Sequence, residues 1–119
     1  MHEHERRKYM VSLTFVFNEE RVAAAGKTVD ELLQPMRDWA AQKGIQETSY
    51  GVFEMDGNRA MCLVGSFIVD ITNSDYKYVT YLDEWIFDVD GEEEDCIKET
   101  YEWYQEKHID VGYEIPVVA

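Results

Sequence analysis

Residues 59–71 read Arg-Ala-Met-Cys-Leu-Val-Gly-Ser-Phe-Ile-Val-Asp-Ile, and the reading of this stretch decides the fold. Met61, Cys62, Leu63, Val64, Phe67, Ile68 and Val69 make it nearly continuous in apolar residues. Such a run predicts a central strand covered on much of both faces. Just before it, Asp56-Gly57-Asn58 is a turn signal of the kind that joins hairpin strands. Ile45 to Met55 supplies the partner strand, with Tyr50, Val52 and Phe53 contributing to the core. The expected centre of the molecule is therefore a β-hairpin, and Cys62 within it is expected to be a buried apolar thiol.

Toward the N-terminus, Tyr9, Val11, Leu13, Phe15 and Phe17 alternate with Met10, Ser12, Thr14 and Val16, which predicts a strand. Asn18 is placed to cap a short helix, Glu19 to Ala25, that Gly26 terminates. Thr28-x-x-Glu31 is a capping-box pattern. It opens a helix with Leu32, Met36 and Trp39 on its apolar face, and Pro35 predicts a kink or restart inside it. Residues 1–7 read as a flexible leader, and residues 8–119 as a single α+β domain.

Toward the C-terminus, Thr72 to Asp75 is a loop and Tyr76 to Val89 alternates like a strand, either one long strand or a short strand plus a longer one. Glu92 to His108 reads as the last helix, with acids in its first turn and Lys107 and His108 in its last. Val111 to Val118 reads as an edge strand, since Pro116 is tolerated only at an edge. The order β-α-β-β-β-α-β describes an α+β two-layer sandwich with a mostly antiparallel sheet and two main helices on one face. The nearest named architecture is a ferredoxin-like variant.

Charge divides the chain. Residues 1–60 carry 10 acids and 8 bases, whereas residues 61–119 carry 15 acids and 3 bases, so almost all of the net −14 lies in the second half. That excess opposes direct binding to nucleic acid or to an anionic membrane. The aromatics Trp85, Phe87, Tyr101, Trp103 and Tyr104 interleave with the acids, which points to an acidic face on folded structure rather than a disordered tail. Two cysteines, Cys62 and Cys96, are too few for a disulfide framework, and no export signal precedes the first strand, so a cytoplasmic location is expected.

No catalytic motif emerges. His2-Glu3-His4 is a poor metal site without a third ligand nearby in sequence. Asp88-x-Asp90-Gly91 fails as a calcium loop, because setting Gly91 at the sixth position puts Ile86 first and Ile97 twelfth. Ser66 lacks the flanking glycines of a nucleophile elbow, and no glycine loop is arranged to cradle phosphate. Neither metal nor cofactor is implied, and the residues lean against an enzyme.

The feature that remains is a row of carboxylates on the predicted last helix. Glu92, Asp95, Glu99, Glu102 and Glu106 recur at spacings of three and four, which on a helix is one stripe. Tyr76, Tyr78 and Tyr81 lie upstream as candidate interface anchors. Together these suggest a non-enzymatic binding protein with a basic protein partner. In its strongest form it is an inhibitor that mimics nucleic acid and blocks a basic nuclease or other nucleic-acid-handling protein, of the phage or mobile-element type. Two other readings stand beside it. One is a small-molecule binder or enzyme with a pocket between sheet and helices lined by Trp39, Trp85 and Tyr104. The other is a homo-oligomeric assembly protein pairing through an edge strand. The oligomeric state is left open by the sequence.

Overall fold

In the computed structural model, which describes residues 9–107, strand β1 (Tyr9–Phe17) lies at the middle of the sheet. Its period of two buries Val11, Leu13 and Phe15 on one face and places Met10, Ser12, Thr14 and Val16 on the other. Asn18 accepts a hydrogen bond from the Arg21 amide at 2.9 Å and so caps α1 (Glu19–Ala24), as its position predicts. Thr28 and Glu31 form both halves of the capping box of α2 (Val29–Gln42). This helix runs on through Pro35 rather than restarting there. Leu32, Leu33, Met36 and Ala40 are buried along it, and that packing offsets the missing backbone donor.

The central hairpin moves. Residues Ala60–Asn73 form a helix, α3, not a strand. Its buried residues are Ala60, Val64, Phe67 and Ile71, spaced four, three and four apart as a helix requires. Apolar side chains on its half-exposed and exposed flanks, among them Met61, Ile68 and Val69, fill the gaps in that period and imitate a buried strand. The correction carries Cys62 with it, because that residue is exposed. The hairpin forms one turn earlier, from β2 (Gln46–Ser49) and β3 (Val52–Gly57) about Tyr50-Gly51.

The predicted strand from Tyr76 is likewise divided. Tyr78–Tyr81 is a turn of 3-10 helix, and β4 (Leu82–Val89) begins after it. The predicted last helix also begins later. Glu92–Asp95 is a strand, β5, and α4 occupies Cys96–Glu106. Asp90 and Gly91 between β4 and β5 both have positive φ, 53° and 94°, as the two central residues of a type I′ hairpin loop do. The leader at residues 1–7 and the edge strand at residues 111–118 fall outside the described residues, as do His2, His4 and His108.

The five strands run in the order β2-β3-β1-β4-β5 with every neighbouring pair antiparallel. The architecture is thus a two-layer α+β sandwich, with the element order β-α-α-β-β-α-β-β-α. All four helices place residues in one core, including Val22 of α1 and Cys96 of α4, so the helical layer lies on the face of Val11, Leu13 and Phe15. Four aromatic rings tie the layers together. Trp85 stacks on Phe15 at 5.7 Å, Phe15 meets Phe53 edge-on at 5.8 Å, and Phe53 meets Phe67 of α3 at 5.3 Å.

Gly51 decides how tightly β3 seats on β1. Its φ is +75°, its carbonyl accepts the Phe15 amide at 2.9 Å, and a Cβ placed there would stand 2.7 Å from the Phe15 carbonyl oxygen. Gly51→Ala combines left-handed strain with a backbone clash and should destabilise the fold by about 2–3 kcal/mol. Urea unfolding followed by tryptophan fluorescence measures this, and an unchanged midpoint would contradict the tight seating.

Candidate functional site

Residues directly opposite in an antiparallel sheet share a face, so the registers map the face that no core residue occupies. One row across it reads Glu54, Ser12, Asp88, Glu93. The next reads Val52, Thr14, Ile86, Asp95. Asp56 opposite Met10 and Glu84 opposite Val16 flank these rows. Met10, Val16, Val52 and Ile86 belong neither to the core nor to the residues packed against it, which confirms that this face is separate from the helical layer. The result is a centre of hydroxyl and apolar side chains edged by six carboxylates. Adjacent strands stand about 4.8 Å apart, so Asp88 and Glu93 confront each other at the distance where like charges repel.

None of the five described strands contains Lys or Arg, while the acids number one on β2, two on β3, three on β4 and four on β5. The bases serve other places. Arg37 of α2 grips Glu47 on the helical side, with Nε to Oε1 at 2.6 Å. Glu47 also accepts the Gly51 amide at 2.9 Å. Burial pushes the Glu47 carboxyl up, but the bonds from Arg37 and Gly51 outweigh it and hold the group below the ordinary carboxylate range. Lys43 pairs with Asp70 of α3, and Arg21 reaches Asp83 at 3.6 Å. Several open-face acids have structural duties: Asp88 accepts the Gly91 amide at 2.8 Å, and Asp95 caps α4. The carboxylates of Glu54, Glu84 and Glu93 make no hydrogen bond or ion pair among the described residues.

The residues singled out from the sequence are distributed differently from the expected stripe. Glu92 and Asp95 lie on β5, on opposite faces of the sheet, and are not continuous with the helical acids. Glu99, Glu102 and Glu106 do share the exposed side of α4, opposite its buried Cys96, Thr100 and Tyr101. The tyrosines split. Tyr78 is buried and donates its hydroxyl to the Leu32 carbonyl, and burial together with Tyr76 raises its pKa. Tyr81 is half-buried against the core, and only Tyr76 is exposed, its ring stacked on Tyr78 at 5.3 Å. Glu54, Asp56, Glu84 and Glu93 were not singled out. The signal for Glu54, Asp56 and Glu84 was the alternation of β3 and β4, where Glu54 and Asp56 flank Met55 and Glu84 precedes Trp85, whereas Glu93 sits in the unbroken acidic run of β5.

Trp85, expected at a pocket between the layers, is 1% exposed and packs in the core. Grooves of about 270–330 Å³ are open features of the surface, one of them lined by Phe15, Phe17, Val29 and Tyr50. Among the described residues no group of three His, Cys, Asp or Glu side chains is placed to hold a metal ion, and no helix is long and apolar enough to cross a membrane. No family model, curated protein or solved structure matches the chain.

Two predictions come from these environments. Glu47→Gln should cost about 1–2 kcal/mol at neutral pH. Because folding lowers the Glu47 pKa, the wild-type advantage is full above the unfolded value and fades as pH falls through the folded one. Denaturation from pH 7 to pH 3 should therefore show the two proteins converge in acid, and a constant gap would contradict the assignment. The thiols should also differ. Burial, then Glu99, Glu94 and Asp95, push Cys96 up to about 12, whereas Cys62 is exposed. Brief treatment with N-ethylmaleimide at pH 7.5 should add one adduct to the native protein and two to the unfolded protein, as read by mass spectrometry.

Proposed function

We propose that this protein is a non-enzymatic binding protein that receives a basic protein partner on its uncovered sheet face. The observation that carries this reading is that β3, β4 and β5 set six carboxylates on this face while none of the five described strands contains Lys or Arg. An acidic protein with random placement would intersperse counter-charges, as the helical side does at Arg37 and Lys43. The face also resembles an interface in layout: Thr14, Val52 and Ile86 form a central patch with Glu54, Glu84, Asp88, Glu93 and Asp95 around it. The repulsion between Asp88 and Glu93 is a standing cost that a bound cation would relieve.

The finer reading is a nucleic-acid-mimicking inhibitor. A field of carboxylates at multiples of strand spacing competes for a basic groove that otherwise holds phosphates. The row Glu99, Glu102 and Glu106 on α4 adds to the long-range field and steers the encounter, while the sheet face makes the contact.

Two charge-reversal variants separate these roles. Glu54→Lys, Glu84→Lys and Glu93→Lys together should weaken a partner captured by the wild-type protein at least about 100-fold, chiefly through faster dissociation. Glu99→Lys, Glu102→Lys and Glu106→Lys together should slow association several-fold and flatten its salt dependence, with a smaller change in affinity. Surface plasmon resonance at several salt concentrations reads both. Undiminished binding by the sheet-face variant would reject the proposal. For the inhibitor form, stoichiometric protein should displace nucleic acid from the partner.

A further inference from the structure

We infer that the outer edge of β5, which no described residue pairs, receives an extended basic segment of the partner as an added strand, a mode of contact that rests on the proposed binding of a basic protein. β5 ends the sheet, and no described residue pairs with its outer side. The two-residue loop Asp90-Gly91 makes Val89 and Glu92 a hydrogen-bonded pair. Pairing alternates along an antiparallel ladder, so Asp88 and Glu93 form the next, non-bonded pair. The Glu93 amide and carbonyl therefore point away from β4 toward the open edge, ready for another strand.

The side chains on that edge select what is added. Glu92, Glu93, Glu94 and Asp95 are all exposed. A second copy of β5 would bring acids against acids, which disfavours self-pairing, whereas Lys or Arg opposite them is complementary. The helical side of the edge offers a seat as well. A groove of about 330 Å³ has an apolar floor of Met61, Phe87 and Val89 and a rim of Glu92, Glu93 and Glu94. Glu92 and Glu94 stand opposite Val89 and Phe87 in the register, on the face toward α3. An Arg or Lys from the added strand would lay its aliphatic stem on Met61, Phe87 and Val89 and bring its charge to Glu92 and Glu94. The alternate residues of that strand would turn to Glu93 and Asp95 on the uncovered face.

The test uses an acetylated and amidated peptide of four Arg-Thr repeats, and the same peptide with every Arg and Thr amide N-methylated. Both carry the same charge, but only the first can pair on either edge. At 0.15 M salt the parent peptide should bind in calorimetry and slow hydrogen exchange at the Glu93 amide, and N-methylation should weaken it about tenfold. Glu93→Pro, which removes the outward amide at an edge where proline is tolerated, should weaken the parent peptide to the level of the methylated one, whereas Glu93→Gln, which removes only the charge, should leave the parent peptide the tighter of the two. Equal binding of the two peptides with no protection of Glu93 would overturn strand addition while leaving the acidic-face reading intact, since charge alone would then account for the attraction. Failure of both peptides to bind would also overturn the strand-addition mode, whereas the acidic-face reading is judged separately by the sheet-face charge reversal.

Discussion

The two-faced alternation of β1 is the constraint on which the rest depends. As the middle strand it pairs with β3 on one side and β4 on the other, and its registers align their faces with its own. Val11, Leu13 and Phe15 bind the sheet to the helices through Phe53, Trp85 and Phe67. The same period leaves Ser12 and Thr14 on the other face, so a single strand determines both where the core lies and which side chains are displayed. A one-residue slip of β1 would turn its two faces over, exposing Leu13 and Phe15 and burying Ser12 and Thr14. The hydrophobic penalty of several kcal/mol for such a slip holds the register in place.

Charge is then sorted by layer. Two acids of the helical side have local partners: Arg37 answers Glu47, and Lys43 answers Asp70. The open face has no such answer among the described strands. Isolated carboxylates in water cost little, but a row of them with one directly opposed pair is self-repelling, and it gains from an external cation in proportion to that repulsion. The thiol of Cys96 is sealed and the Tyr78 hydroxyl is spent on the Leu32 carbonyl.

Much of the architecture was legible because local signals and tertiary packing agreed. β1, the Asn18 cap and the Thr28–Glu31 box each have one physical reading, and the structure keeps all three. The sequence misled where composition blurred a period. In α3 the buried stripe of Ala60, Val64, Phe67 and Ile71 is helical, but apolar residues on its flanks hid it. The run of 13 residues from Arg59 to Ile71, longer than a usual strand, was the available warning. In β5 four successive acids resemble the first turn of a helix, and the Asp90-Gly91 hairpin loop overrides that preference by holding Glu92 to Asp95 against β4. That one override broke the expected carboxylate stripe and moved the candidate site from a helix to the sheet. On β3 and β4 the acids of this face were visible only as alternation, on β5 they were hidden in an unbroken acidic run, and without strand order nothing joined Glu54 to Asp88 and Glu93.

The most direct test of the central claim is a map of which carboxylates the partner covers. Carbodiimide labelling of the protein, free and in complex, followed by mass spectrometry, reads each acid separately. Glu54, Glu84 and Glu93 should lose reactivity in the complex while Glu19 and Glu20 on α1 keep theirs. Protection confined to α1 and α2, with the three sheet-face acids still freely labelled, would contradict it.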